Sequence, residues 1–210
     1  MSKKIFYDWD GGNAWLFKHI NAIHNDTYDA AMLLLSRIAD RHNFPYYLVA
    51  LAVFALTLSA ARKFAQKGGA AHGLAAWFGV LVVLIAGFGA NHVVIGQMKE
   101  YFAYPRPYVE LSSDDARVLE VRPSEDSYHS FPSGHAAFIT LMIVGLWPVL
   151  SKNMRLLGVW LILGVCWSRI ALGVHYPADV LAGVIVTIPL IMILRSFIYW
   201  MLRKLFGIRC

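Results

Sequence analysis

Five long apolar segments without a single acidic residue dominate this sequence of 210 residues. A helix that crosses the hydrocarbon core of a bilayer needs about 20 mostly apolar residues. Only 15% of the residues are charged, against about 25% in an average soluble domain. We therefore predict an all-α, polytopic bundle of about five membrane spans and exclude a disordered chain, a coiled coil and a disulfide scaffold. The segments are Phe44–Ala61, Leu74–Gly96, His135–Leu150, Met154–Leu172 and Val180–Met201.

The region before the first span mixes apolar and charged residues. Within Trp15–Arg41, four apolar residues at helical spacing predict a helix that lies in the membrane interface, with Asn25 or Asp26 as its N-cap. A sixth, imperfect span is the alternative, although it would place several charges in hydrocarbon. We divide the chain into an N-terminal interfacial segment, residues 1–43, and a transmembrane domain, residues 44–210. The four apolar residues are Ala30, Leu33, Leu34 and Ile38.

Basic residues mark the loops that face the cytoplasm. Nine Lys or Arg residues and no acidic residue lie in the loops after the first and third segments and at the C-terminal end. The loop from Gln97 to Ser133 instead carries seven acidic residues against four basic ones. We expect this acidic loop to face the periplasm or the extracytoplasmic space, from a protein of the inner (cytoplasmic) membrane. The net charge of +6 does not indicate nucleic-acid binding, because the basic residues flank apolar segments instead of lining a water-exposed face.

Three groups of polar residues lie at the outer ends of the spans. Placing polar side chains in a membrane costs free energy, so residues that remain there indicate a functional site. The first group follows the second span and contains Lys99, Arg106 and Pro107. An ammonium and a guanidinium group both suit phosphate oxygens. Two basic side chains that snorkel to the membrane surface would produce the same pattern.

The second group opens the third span with Pro132, Ser133, Gly134 and His135. Pro, Ser and Gly before an apolar run predict the start of a helix. The free N–H groups of that first turn, the Ser133 hydroxyl and the small Gly134 could hold an anion, and His135 adds a titratable group. A plain N-cap beside an interfacial histidine is the alternative.

The third group joins the last two spans and contains Ser168, Arg169, His175 and Asp179. Arg169 lies near the end of an apolar helix and therefore needs an anionic partner. A carboxylate at Asp179 that accepts from one nitrogen of His175 would leave the other nitrogen as a free lone pair, as a nucleophilic or basic histidine requires. A loop ion pair is the alternative.

Together, the three groups indicate a site for a highly charged oxyanion such as phosphate. Lys99, Arg106 and Arg169 supply positive charge, and one histidine would act as nucleophile while the other acts as acid. The residues alone do not assign these two roles to His135 and His175. No carboxylate-rich cage and no His/Cys set accompanies the groups, so we expect neither a metal ion nor another cofactor.

These groups resemble the signature of the type-2 phosphatidic acid phosphatase (PAP2) superfamily, which also includes vanadium haloperoxidases and bacterial acid phosphatases. The chain matches every fixed position of the pattern K-x6-RP, PSGH and SR-x5-H-x3-D between Lys99 and Asp179. The resemblance implies that His175 attacks phosphorus, that Asp179 orients it, and that His135 protonates the leaving oxygen and then activates water. It also implies metal-free phosphate binding by Lys99, Arg106, Ser133, Gly134 and Arg169.

Within that family, the membrane layout favours a lipid phosphatase, and the chain looks most like small bacterial enzymes that hydrolyse undecaprenyl diphosphate. Phosphatidylglycerophosphate, phosphatidic acid and lipid A phosphates are alternative substrates. A lipid phosphotransferase, a haloperoxidase and a non-catalytic lipid-phosphate-binding protein are alternative functions, although the known haloperoxidases are soluble. The expected partners are the membrane and a lipid phosphate within it, not nucleic acid.

Overall fold

The computed structural model describes residues 5–64, 70–112, 116–119 and 127–206, and within these ranges it contains α-helices and no β-strand. Lys67, Arg209, Cys210 and five of the seven acidic residues of the outer loop lie outside the described residues. The described residues also form two short 3-10 turns, Arg41–Asn43 and Trp147–Val149. The helices are α1 Ile5–Asp8, α2 Gly12–Asn21, α3 Asp26–Ile38, α4 Phe44–Phe64, α5 Ala70–Phe102, α6 Pro107–Glu110, α7 Gly134–Leu146, α8 Lys152–Ala171 and α9 Pro177–Phe206.

Four of the described helices, α4, α5, α8 and α9, are long and apolar enough to cross a membrane. The helix α7 occupies the third predicted segment and is shorter, covering Gly134–Val149 with its 3-10 turn. The prediction of an all-α, multi-pass membrane bundle is confirmed, with the third predicted span as the short member.

The helix α7 lies inside the bundle, in contact with α5, α8 and α9. Its residues from Ala136 to Ile143 are all buried, which explains why α7 is apolar on every side. The core between these helices centres on the fully buried side chains of Leu84, Leu141 and Ile191. The outward faces of α4, α8 and α9 instead expose large apolar side chains, as a lipid-facing surface requires: Val49, Val53, Leu56, Trp160, Ile185 and Ile193.

The helix α3 begins where the sequence predicts. The side-chain oxygen of Asn25 accepts the N–H of Tyr28 at 2.8 Å and satisfies a donor of the first turn. Ser36 and Ala39 face α8 and are buried, whereas Leu34, from the predicted apolar row, is 60% exposed on the other side. The helix therefore packs one face on the bundle and exposes Leu34 on the side that points away from it. The interfacial location of this segment stays a prediction.

Candidate active site

All three polar groups meet at one end of the bundle, around a cavity of about 120 Å³. They meet because α5 ends there, α7 begins there, and the connection from α8 to α9 turns there. Among the described residues, no group of His, Cys, Asp and Glu is arranged to hold a metal ion. The cavity is lined by Asp40, Arg41, His42, Lys99, Arg106, Gly134, His135, Arg169 and His175.

His175 and Asp179 form a buried pair at the base of the cavity. The Nδ1 atom of His175 lies 3.2 Å from Oδ2 of Asp179, and its Nε2 atom lies 3.4 Å from Nη1 of Arg106. With the shared proton assigned to Nδ1, the Nε2 lone pair faces Arg106 and the cavity. Burial, and then the charges of Arg106 and Arg169, lower the pKa of His175 well below its usual 6.5. The imidazole is therefore neutral near pH 7, as a nucleophile must be.

Several donors hold the carboxylate of Asp179, which is fully buried. The hydroxyl of Ser130 donates to Oδ2 at 2.5 Å and the N–H of Tyr176 donates to Oδ2 at 2.9 Å. The hydroxyl of Tyr7 donates to Oδ1 at 2.9 Å. Sequence reasoning missed both Ser130 and Tyr7. Ser130 lies three residues before Ser133 and could have been suspected from that position, whereas Tyr7 lies outside every motif.

The three cations of the signature are held by neutral oxygen atoms. Nη1 of Arg106 donates to the carbonyl of Val174 at 3.1 Å, and Nζ of Lys99 donates to the carbonyl of His129 at 2.5 Å. Nη1 of Arg169, which is fully buried, donates to the hydroxyl of Ser36 on α3. These contacts help to orient the three positive groups, which all line the cavity. Sequence reasoning also missed Ser36, because it lies in the N-terminal segment, 133 residues before Arg169.

Ser133 and Gly134 form an open turn at the start of α7, which the sequence predicts to bind an anion and which we call the anion cradle. Ser133 occupies the N-cap position, but its side chain makes no capping hydrogen bond. Its Oγ is buried and has no hydrogen-bond partner among the described residues. A buried hydroxyl left in this state costs about 1–3 kcal/mol, so it serves a ligand better than it serves the fold. A Cβ added at Gly134 would meet no atom within 4 Å, so the space before the helix is open. These observations disfavour a plain N-cap.

The turn after α3 adds a further basic residue to the site. Arg41 lines the charged cavity and also a neighbouring cavity of about 90 Å³. That second cavity lies along α5 and α7 and has apolar walls from Phe88, Ile95 and Phe138. Sequence reasoning placed Arg41 at the end of the interfacial segment and assigned it no role, because no local pattern connects it to the motifs.

Arg117, in the described residues 116–119 of the outer loop, is hydrogen-bonded to the N-terminal segment. The side chain of Asn21 donates to the carbonyl of Arg117 at 2.8 Å and accepts its N–H at 2.7 Å. The guanidinium of Arg117 also donates to both carboxylate oxygens of Asp29, at 2.6 and 2.8 Å. Gly173 adopts a φ of +79°, and a Cβ there would lie 2.1 Å from the Arg117 carbonyl, so only glycine permits this approach.

The signature from Lys99 to Asp179 lies within a longer family match. Residues 76–203 match the model of the PAP2 superfamily, which is more than half of the chain. The chain belongs to the PAP2 superfamily. Membership confirms the resemblance inferred from the three motifs and the prediction of a phosphatase.

Two curated proteins are similar in sequence. An undecaprenyl-diphosphatase of Sulfolobus acidocaldarius is 28% identical over 174 residues, which are 82% of this chain and 72% of that protein. Phosphatidylglycerophosphatase B of Bacillus subtilis is 31% identical over 133 residues, which are 58% of each chain. The second match therefore spans little more than half of either protein.

Two crystal structures share the fold. LpxE of Aquifex aeolicus aligns with a TM-score of 0.70 at 22% identity, over 88% of this chain and 94% of that one. The first transmembrane PAP2-type phosphatidylglycerolphosphate phosphatase from Bacillus subtilis aligns with a TM-score of 0.66 at 18% identity, over 91% of this chain and 86% of that one. At these identities the likeness concerns the architecture alone.

Proposed function

We propose that this protein is a membrane lipid phosphatase that hydrolyses a phosphate monoester or diphosphate of a lipid on the outer face of the membrane. One observation carries the proposal: His175 meets Asp179 through Nδ1, and its Nε2 faces a cavity lined by Lys99, Arg106 and Arg169. A neutral nucleophile beside three cations suits attack on a dianionic phosphoryl group.

The first chemical step transfers the phosphoryl group to His175. The Nε2 lone pair attacks phosphorus, and the bond from phosphorus to the lipid oxygen breaks. His135 gives a proton to that departing oxygen, so the lipid leaves as an alcohol or as a lipid phosphate. Asp179 stabilises the positive charge that develops on the His175 ring. The three cations, Ser133 Oγ and the Gly134 N–H hold the phosphoryl oxygens.

The second step releases phosphate by hydrolysis. His135, now neutral, removes a proton from a water molecule, whose oxygen attacks the phosphorus of the phosphohistidine. The bond between phosphorus and Nε2 breaks, inorganic phosphate leaves, and His175 returns to its neutral state. His135 is half-buried and lines the cavity, which suits a group that must reach both the lipid oxygen and water.

Undecaprenyl diphosphate is the substrate that we favour. The undecaprenyl-diphosphatase of Sulfolobus acidocaldarius supports it, and so does the position of Arg41 between the charged and the apolar cavity. In this arrangement the terminal phosphate would occupy the cavity at His175, the second phosphate would contact Arg41, and the first part of the apolar chain would follow α5. Phosphatidylglycerophosphate, phosphatidic acid and a lipid A phosphate are the alternative substrates, and the Bacillus subtilis relative supports the first of them.

We place the protein in the inner membrane with the cavity facing outward. The three polar groups of the signature lie at one end of the bundle, opposite the loop that carries the basic residues Lys152 and Arg155. The positive-inside rule puts that basic loop in the cytoplasm.

The test is phosphate release from undecaprenyl diphosphate, phosphatidylglycerophosphate and phosphatidic acid by the detergent-purified protein in EDTA. His175→Ala is compared with His19→Ala, because His19 is an exposed histidine of α2 outside the cavity. We expect release that persists in EDTA, is lost in His175→Ala and is retained in His19→Ala. Release that survives in His175→Ala would refute the proposed chemistry. If a labelled donor yields a phosphorylated lipid acceptor and no free phosphate, the protein is a phosphotransferase.

A further inference from the structure

Tyr7 lies outside the three motifs, yet its hydroxyl donates to Oδ1 of Asp179 at 2.9 Å, across 172 residues of sequence. We propose that Tyr7 is a positioning residue of the phosphoryl-transfer reaction, which holds the carboxylate of Asp179 in line with Nδ1 of His175. This inference rests on the proposed function for its reaction. It adds the N-terminal helix α1 to the catalytic apparatus.

The contacts to Asp179 are divided unevenly between its two carboxylate oxygens. Oδ2 receives the hydroxyl of Ser130, the N–H of Tyr176 and Nδ1 of His175. The contact from Tyr7 reaches the other oxygen, Oδ1. The terminal torsion of an aspartate is soft, so contacts to one oxygen alone leave the plane of the carboxylate free to swing. A donor at Oδ1 fixes that plane.

The ring of Tyr7 is itself held in place by three neighbouring aromatic rings. Its centroid lies 4.2 Å from that of Tyr104, and it meets Phe131 and Tyr176 edge-on at 5.7 and 6.1 Å. Phe131 directly precedes the turn of the anion cradle, and Tyr104 lies two residues before Arg106. The hydroxyl of Tyr7 is therefore fixed relative to two of the three motifs.

Tyr7 also lies between the Asp179 carboxylate and a cavity on the outside of the site. Tyr7 lines an outer cavity of about 340 Å³, together with Asp8, Glu110 and Tyr176, whereas Asp179 itself is fully buried. The ring thus separates the carboxylate from this cavity, and hydrogen bonds in such a dry site are stronger than in water. Burial and the nearby Asp179 carboxylate raise the pKa of Tyr7 far above its usual value, so its hydroxyl stays a donor at every physiological pH.

The decisive variant is Tyr7→Phe, which removes the hydroxyl and keeps the ring. Its matched control is Tyr47→Phe, which removes a hydroxyl that donates to the carbonyl of Ile38 at 2.9 Å, outside the cavity. We expect kcat for phosphate release to fall about 10- to 100-fold in Tyr7→Phe, the usual effect of losing a hydrogen bond to a charged group. KM should change less than about twofold, because the hydroxyl does not face the substrate cavity. Tyr47→Phe should keep the wild-type kcat.

A double variant with Ser130→Ala tests whether Tyr7 acts through the carboxylate. Both hydroxyls donate to the carboxylate of Asp179, so their effects on kcat should be coupled, and the loss in the double variant should differ from the product of the two single losses. A wild-type kcat in Tyr7→Phe, an equal fall in Tyr47→Phe, or losses that multiply would each overturn the inference.

Thermal unfolding in detergent, measured on every variant, separates a fall in kcat from loss of folded protein. His175→Ala in the same assay separates this inference from the proposed function. If release is lost in His175→Ala but Tyr7→Phe is as active as wild type, only the role of Tyr7 is refuted. If release persists in His175→Ala, the proposed function itself fails.

Discussion

The N–H of Ser133 donates to the backbone carbonyl of Asp179 at 2.9 Å, so the anion cradle is attached directly to the first turn of α9. One turn further along α9, a Cβ added at Gly183 would lie 2.7 Å from the carbonyl oxygen of Ser133. The missing side chain at Gly183 therefore permits the close approach that keeps the turn at Ser133 and Gly134 beside the carboxylate of Asp179.

We expect Gly183→Ala to push the cradle away from α9. Overpacking at a closely packed site costs about 1–3 kcal/mol, and a cradle displaced by a few tenths of an ångström should lower kcat/KM at least about tenfold. Initial rates of phosphate release and thermal unfolding would measure both effects. Gly89→Ala in α5 is the control, because a Cβ there meets nothing within 4 Å. Equal activity in the two variants would contradict this account of Gly183.

Ser133→Ala should separate binding from stability. The Oγ of Ser133 has no hydrogen-bond partner in the described part of the chain, so its removal should leave the melting temperature unchanged or slightly higher. The same change should raise the inhibition constant of inorganic phosphate about tenfold, the equivalent of about 1.4 kcal/mol. Ser59→Ala, which removes a hydroxyl that donates to the Ala55 carbonyl within α4, is the control and should leave the inhibition constant unchanged. A marked loss of stability in Ser133→Ala would show that the hydroxyl serves the fold.

Arg41→Ala tests the preference for a diphosphate. If Arg41 contacts the second phosphate, KM for undecaprenyl diphosphate should rise about 10- to 100-fold, the loss of one charge-assisted hydrogen bond. KM for phosphatidic acid, which has a single phosphate, should hardly change. Arg37→Ala, an exposed arginine of α3 outside the cavity, is the control. An equal rise for both substrates would assign Arg41 to general electrostatic attraction instead.

The lowered pKa of His175 predicts how stability depends on pH. The unfolded chain takes up a proton near pH 6.5 that the folded chain binds only at a lower pH. The free energy of unfolding should therefore fall as the pH drops below 6.5 and should not depend on this group above 6.5. Melting temperatures of wild type and His175→Ala between about pH 5 and 8 would show this, because the variant lacks the contribution. Parallel curves for the two proteins would contradict it. Where protonation of His175 limits the reaction at low pH, the rate of phosphate release should likewise begin to fall only below pH 6.5.

The sequence alone predicted the membrane helices and the chemistry at their ends. Apolar length is a local property, so segments such as Phe44–Ala61 and Val180–Met201 identify spans without knowledge of their neighbours. The cap at Asn25 and the start of α7 at Gly134 are also local, because a helix end needs its donors satisfied by nearby residues. Since the membrane orients every span, the ends that carry Lys99, Arg169 and His175 could be assigned to one side before any contact was known.

Only the tertiary structure decided which other side chains complete the site. Tyr7, Ser36 and Arg41 come from the N-terminal segment and reach the motifs across long stretches of chain, so no spacing in the sequence connects them to Asp179 or Arg169. Their positions depend on how α3 rotates against α8 and on how the aromatic rings around Tyr7 pack. Local propensity does not specify either arrangement, because many rotations bury similar apolar area, and the choice among them comes from contacts formed after the helices meet.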